Sequence, residues 1–518
     1  MGGPIILATI NAKWIHPSLA LRLLKANLGD YEDRCEILEF ALRQPLAEKT
    51  GPILASRPLI LGLSVSIWNH SATLELLKAL DEEWKAGLRP VLVLGGPEVS
   101  YLPEDAEIFR YADYVIRGEG EFAFYKLCSD LLAKPDLLSP SGNGGFRNTV
   151  RPPAGLPAQF IDAPGADLSL VRSAYHLYTA EDLTRKLVYV EASRGCPFSC
   201  EFCLSPAWRS PLGKGQGPGF DGLPEPPRRV REFPLEAFLG EMEDLIRRGA
   251  RTFKFLDRTF NYDSRRARTI MEFFLRRIGE RTGEPPFCVH FEFFPSPIPP
   301  ELRETLRRFP PGSLRLELGI QTFNPRTARL IKRGGNTAEA LETLEFLVRE
   351  TAAIIHADLI AGLPGEDMGS FGAGFDRLWK ALSAGMKAEP RDGEAGHGRV
   401  EIQLGILKLL PGAAISRHTE ACRMRYSPAP PYQVIGTAAM PAADLDRVKN
   451  FARFWELIVN RGNFDGLAAR FFPPGELVFD CFMNLSDRLL ERFGRNWGID
   501  RRELREALLD SPAGTCVR

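Results

Sequence analysis

The sequence predicts an α/β protein in three parts: an N-terminal parallel, doubly wound sheet, a partial (β/α)6 barrel, and a C-terminal helical region. Three observations carry this. Short apolar runs alternate with amphipathic stretches over residues 1–135. The alternation resumes at Lys186 and supplies six strands before residue 410. From Pro411 onward only helical periodicity remains. Residues 136–185, rich in Pro, Gly and Ser, are expected to be a linker that wraps rather than folds. The expected parts are therefore 1–135, 136–185, 186–410 and 411–518.

In the first part, Pro4–Ile10 is an apolar run, and Leu21, Leu24 and Leu28 share a helical face after it. Leu59–Ile67 reads as a buried strand, followed by a helix with Leu74, Leu77, Leu80 and Trp84 at spacings of three and four. Val91–Leu94 is a strand ending in Gly95-Gly96-Pro97, and Asp113–Ile116 is another, running through Arg117–Glu121 into a helix. Such a sheet keeps its ligand crevice at the carboxyl ends of the strands. The second series has strands at Leu187–Ala192, Thr252–Asp257, Phe287–Phe291, Leu314–Gln321, Ala353–Ala361 and Val400–Leu409. A barrel of this kind also places its site at the carboxyl ends. A Gly/Pro/Arg-rich loop between Leu204 and Arg231 is too flexible in composition to be core. The C-terminal stripe Phe451, Phe454, Trp455 and Ile458 is either core packing or a lid over the barrel mouth.

Composition narrows the function classes. Of 518 residues, 44% are hydrophobic and 25% charged, ordinary values for a soluble globular chain. Lys plus Arg equals Asp plus Glu at 66 each, so no global field favours nucleic acid or an acidic membrane. No apolar run is long enough to span a bilayer, and residues 1–8 lack the features of a signal peptide. A cytoplasmic location is expected, with the nine cysteines reduced.

Six of those cysteines are isolated; Cys196, Cys200 and Cys203 are not. They fall in one short loop directly after a strand, at spacings that let three thiolates wrap one face of a cubane. Three readings stand: a [4Fe–4S] cluster with one open iron, a zinc site, and buried thiols grouped by chance. A structural zinc site wants four ligands, and no Cys or His lies at partner spacing nearby.

Ser193-Arg-Gly-Cys-Pro-Phe-Ser-Cys-Glu-Phe-Cys203 resembles the signature of radical S-adenosylmethionine (SAM) enzymes. The resemblance implies that the open iron binds the amino and carboxylate groups of SAM, and that Phe202 packs near its adenine. Thr252–Asn261 resembles the second-strand segment of that family but lacks its Gly-Glu pair, which leaves Asp257 as a stand-in contact to the methionine amine. Leu316–Thr322 resembles the fourth-strand segment and nominates Glu317 and Gln321 for the ribose or carboxylate. Asp358–Glu366 resembles the fifth-strand turn that passes the adenine, which nominates Ile360 and Gly362.

The N-terminal part resembles Rossmann-like cobalamin-binding domains, over roughly residues 4–132. Ser64-Val-Ser66 stands where that family has Ser-x-Leu, and Gly95-Gly96 where it has Gly-Gly. By this resemblance Asn11, Ser64, Ser66, Gly95, Gly96, Pro97, Glu98, Gly118 and Glu119 would line cobalamin. The Asp-x-His-x-x-Gly motif that carries a cobalt ligand in many such domains is replaced by Asn11-Ala-Lys-Trp-Ile-His16, so no histidine occupies its slot. His16 is either a satisfied polar residue or a ligand or substrate contact.

The implied function is SAM-dependent radical chemistry with a [4Fe–4S] cluster, SAM and cobalamin. Methyl transfer to an unactivated centre of a small-molecule or peptide substrate leads, fed by a reductant such as flavodoxin or ferredoxin. Rearrangement or cyclisation without methyl transfer is the second reading, and a non-catalytic cobalamin or iron–sulfur sensor the third. A methylthiotransferase is disfavoured, because residues 1–135 hold only Cys35 and Cys128 and so lack a second cysteine set. No residue is assigned as acid, base or radical relay.

Overall fold

The computed structural model describes residues 4–85, 89–133, 140–141, 145–146, 157–163, 165–205, 230–280, 287–383, 400–462, 464, 467, 469–472 and 477–511. The Gly/Pro/Arg-rich loop falls almost wholly outside them. Two compact units emerge. One comprises Met1–Gly195, Leu204–Leu256 and Leu410–Gly412; the other comprises Cys196–Cys203, Asp257–Leu409 and Ala413–Arg518. Among the described residues, no helix is long and apolar enough to cross a membrane.

The first unit contains a six-stranded parallel sheet in the order Cys35–Ala41, Ile5–Asn11, Ile60–Ser64, Val91–Gly95, Tyr114–Gly118, Gln159–Ala163. Side chains alternate along a strand, and here both faces are covered. Ile6, Ala8 and Ile10 enter one core, and Ile5 and Leu7 the other. The direction of strand addition reverses between Ile5–Asn11 and Ile60–Ser64, so this pair is the topological switch point. Buried Arg22, on the helix Leu19–Ala26, pairs with Glu39 at 2.8 Å and Asp182 at 2.9 Å, fastening that helix to two later segments.

Two elements of this sheet go beyond the sequence reading. Cys35–Ala41 carries Glu36 and Glu39 within its run, which break the apolar signature. Gln159–Ala163 lies in the stretch read as a wrapping linker, yet it pairs in register with Tyr114–Gly118. It is a short edge strand, with Gln159 exposed and no clear alternation, and the helix Ala180–Arg185 follows with a Thr179–Asp182 capping box. The first unit also holds Val188–Val190 and Thr252–Phe255, paired in parallel.

In the second unit Cys288–Phe293, Leu314–Gln321, Ile354–Ala361 and Val400–Ile406 pair in parallel in chain order. Leu314, Leu316, Leu318 and Ile320 are buried on one face, whereas Arg315, Glu317, Gly319 and Gln321 share the other. The register aligns Glu292, Glu317, His356 and Glu401 in one row across the four strands. Asn460 covers the edge strand: its Nδ2 donates to Ile402 O at 2.9 Å, and its Oδ1 accepts from Ile402 N at 3.2 Å. Phe451, Phe454, Trp455 and Ile458 are fully buried. Phe451 and Trp455 pack edge-on against Phe375 of the helix Met368–Ser383, at 5.2 and 4.8 Å. The stripe is core packing and not a lid. Seven described cysteines form no disulfide, but Cys481 is disulfide-bonded, contrary to the expectation of uniformly reduced cysteines.

Candidate functional site

The cysteine loop begins where the short strand Ser193–Arg194 ends in Gly195, whose φ of 102° suits glycine. The guanidinium of Arg194 is gripped by Glu191 at 2.6 Å and Glu121 at 2.7 Å, which fixes the stem of the loop in the first unit.

The loop itself belongs to the second unit. Cys200 is 5% exposed; Cys196 and Cys203 are partly exposed. Burial pushes the Cys200 thiol up, and Arg333 opposes that shift. Cys196 Sγ lies 3.5 Å from Thr259 Oγ1, on the turn that also carries buried Asp257. Glu201, between Cys200 and Phe202, donates its N–H to Ile331 O and accepts at its own carbonyl from Ile415 N. Its carboxylate, 2% exposed, receives Arg417 and His418.

Other nominated residues sit on neighbouring strands. Glu317 faces His290, with Oε2 and Nε2 3.2 Å apart, and His356 Nδ1 lies 2.8 Å from Gln403 Nε2. Gln321 closes its strand at a φ of 70°, where the register slips after Gly319. Ile360 shares the face of His356 and Asp358. Gly362 follows with a φ of 83°, and a Cβ there would meet Val434 at 2.5 Å, so internal packing already demands glycine. Glu366, four residues on, is 1% exposed and accepts the Thr322 hydroxyl at 2.5 Å. Burial lifts its pKa to about 7.

In the first unit, Asn11, Ser64, Ser66, Gly95, Gly96 and Gly118 all lie at the carboxyl ends of parallel strands or just beyond them. Asn69, which the sequence reading missed, pins the switch point. Its Nδ2 donates to Ile10 O at 3.0 Å and Ser64 O at 3.2 Å, and its Oδ1 accepts from Ser66 N at 2.7 Å. Gly96 has a φ of 108°, and a Cβ would sit 2.5 Å from Val65 O; at Gly118 it would sit 2.3 Å from Ala163 O. Pro97 and buried Glu98 form the turn after Gly96, with Glu98 Oε1 3.1 Å from His70 Nδ1. Glu119 points elsewhere: Arg194, Arg231 and Ala166 N–H occupy its carboxylate and hold it below the usual range despite burial. His16 Nδ1 is 2.8 Å from the Tyr189 hydroxyl; burial, then Lys13 and Lys254, lower its pKa, so the ring is neutral at pH 7.

Residues 190–377 match the Radical SAM superfamily, and residues 5–127 match the B12 binding domain. The chain carries a radical SAM domain and a B12-binding domain. It is 33% identical to the cobalamin-dependent radical SAM methyltransferase TokK of Streptomyces tokunonensis over 28% of its own length. That match spans only 22% of TokK. In fold it resembles the cobalamin-dependent SAM radical enzyme OxsB, with a TM-score of 0.60, 14% identity, and coverage of 98% of this chain and 74% of that one. It also resembles the radical SAM methyltransferase TsrM of Kitasatospora setae, with a TM-score of 0.55, 19% identity, and coverage of 84% and 82%.

The two domains imply a [4Fe–4S] cluster, SAM and cobalamin. Among the described residues, no three His, Cys, Asp or Glu side chains converge as ligands of one metal ion. A cubane takes its three thiolates on three different irons, and Cys196, Cys200 and Cys203 are three thiols of one short loop that could supply them. Beyond the two switch-point strands, Trp68 is 55% exposed, and Trp14 is 48% exposed with Arg185 and Lys186 over its ring, which leaves apolar surface near the strand ends.

Proposed function

We propose that this protein is a cobalamin-dependent radical SAM methyltransferase acting on an unactivated centre of a small-molecule or peptide substrate in the cytoplasm. One observation carries the reading: a single chain joins the three-cysteine loop, with Cys200 buried and its neighbour Glu201 anchored, to a doubly wound parallel sheet with a topological switch point. When bound, the cluster would supply one electron to SAM, and the corrinoid a methyl carrier.

The chain's own residues would bind and orient. Cys196, Cys200 and Cys203 would hold the cluster as thiolates, and the Thr259 hydroxyl would restrain the Cys196 sulfur. Phe202, Asp257, Glu317, Gln321, Ile360 and Gly362 would contact SAM. Asn11, Ser64, Ser66, Gly95, Gly96, Pro97, Glu98 and Gly118 would line the corrinoid. Glu119 was nominated for the same role, but its ion pairs favour a structural one. The Tyr189 contact of His16 supports cobalt without a histidine ligand from this loop. The electron must come from outside, and a flavodoxin or ferredoxin fits that need.

A second reading is radical rearrangement without methyl transfer. The likeness to OxsB, whose name states radical chemistry and no methylation, favours keeping it. Anaerobic incubation of the reconstituted protein with SAM, cobalamin and reductant separates the two. Methyl transfer predicts S-adenosylhomocysteine alongside 5′-deoxyadenosine. Rearrangement predicts 5′-deoxyadenosine alone.

A further inference from the structure

Arg333 lies on the turn after the helix Pro325–Leu330, far in sequence from the cysteine loop, yet it reaches that loop directly. Its Nη1 donates to Cys200 Sγ at 3.5 Å. Its Nη2 donates to the carbonyl oxygen of Gly319, on the strand Leu314–Gln321. The guanidinium carbon stands 4.5 Å from the centre of the Phe294 ring. Phe294 in turn stacks on Phe198, inside the cysteine loop, with ring centres 3.9 Å apart. A carbonyl, a ring face and a sulfur thus fix one cation in place.

The turn itself is shaped for this contact. Lys332 adopts a φ of 49° and places Nζ 3.6 Å from Glu201 Oε1, so consecutive residues hold Glu201 and Cys200. Gly335 has a φ of 99°, and a Cβ there would press on Phe294 at 3.3 Å. Glu201 does not cancel Arg333, because Arg417 and His418 already engage its carboxylate.

We infer that Arg333 is a positioning residue that sets the reduction potential of the cluster held by Cys196, Cys200 and Cys203. Reduction adds one electron, from the external reductant, and with it one negative charge; no proton need move. A guanidinium that donates to a ligand sulfur stabilises that added charge, and hydrogen bonds to ligand sulfurs are a known lever on cluster potential. Arginine suits the task better than lysine because its planar fork serves the sulfur and the Gly319 carbonyl together, while its charge persists at any working pH. The inference rests on the cluster assignment and is independent of what the radical then does.

The test is an EPR-monitored redox titration of the full-length, anaerobically reconstituted protein as wild type, Arg333→Met and Arg333→Lys, with iron and sulfide measured on each. Arg333→Met is expected to move the midpoint negative. At the wild-type midpoint its ratio of reduced to oxidised cluster should fall roughly tenfold, which for one electron is ~59 mV. Arg333→Lys should recover part of the shift. Wild-type midpoints in both variants, at wild-type iron content, overturn the inference. If Arg333→Met assembles no cluster, Arg333→Lys decides alone: a negative shift supports the inference and an unchanged midpoint overturns it. A wild type that takes up no iron overturns the cluster assignment itself, through a different readout from the midpoint comparison.

Discussion

Nε2 of His418 lies 2.8 Å from Oε2 of Glu201 and 3.1 Å from the carbonyl oxygen of Leu330. Arg417 Nε stands 3.4 Å from the same ring nitrogen, so two acceptors and one donor converge on it. Arg417 Nε donates to the same carboxylate oxygen at 2.9 Å. The cysteine loop is therefore pinned, one residue beyond Cys200, to a segment more than two hundred residues away. Glu201→Ala should lower the unfolding free energy of the apo-protein by about 1–3 kcal/mol, because it strands the buried His418, whereas Arg417 stays half-exposed. It should also reduce the iron retained after gel filtration. Urea unfolding and iron analysis read the two effects. Glu201→Gln, which keeps one acceptor, should fall between. Wild-type values for both variants would remove the anchoring role.

Glu366 makes stability depend on pH. Its folded pKa, raised from 4.5 to about 7 by burial, means that the native state holds a proton which the unfolded chain releases earlier. The carboxyl contributes its full stability below about pH 4.5, and that contribution is lost as pH rises through about 7. The loss is at most about 3 kcal/mol. Glu366→Gln removes the titration, so the variant should gain stability relative to wild type between pH 5 and pH 8. Urea unfolding at those two values checks the sign. Parallel profiles would show that Glu366 is ionised throughout.

The adjacent glycines Gly95 and Gly96 should separate folding from binding. Gly96→Ala forces a Cβ to 2.5 Å from Val65 O at a φ of 108°, at a cost of about 1–3 kcal/mol. It should lower the melting temperature and the bound corrinoid together. Gly95 lacks that strain, and a Cβ there would meet only Ile116 O at 3.7 Å. Gly95→Ala should therefore melt like wild type yet lose corrinoid absorbance if the backbone is approached closely. Undiminished corrinoid in both variants would place the ligand elsewhere.

What the sequence revealed and what it hid follow the range of each interaction. Cys196, Cys200 and Cys203 share one loop, and Gly95-Gly96 one turn, so chain-local spacing exposes them. The strand Leu314–Gln321 alternates strictly and was legible for the same reason. The partners of these residues were not legible. Arg333 meets Cys200, and Arg417 and His418 meet Glu201, only through tertiary packing, and an arginine carries no periodic signature. Asn69 looked like one polar residue after a strand, although its side chain ties two strand ends together. Gln159–Ala163 was hidden by its shortness and by Gln159 and Asp162, which interrupt the apolar run although Phe160 and Ile161 pack on opposite faces of the sheet. Glu119 was nominated by its neighbours in sequence, and its ion pairs with Arg194 and Arg231 appear only in the fold.

The central claim is that Cys196, Cys200 and Cys203 hold a cluster that cleaves SAM. Its most direct test compares anaerobically reconstituted wild type with Cys200→Ala for iron content and for release of 5′-deoxyadenosine under a strong reductant. The wild type should take up roughly four irons per chain and release 5′-deoxyadenosine; Cys200→Ala should do neither. SAM cleavage that persists in Cys200→Ala without the cluster would contradict the claim.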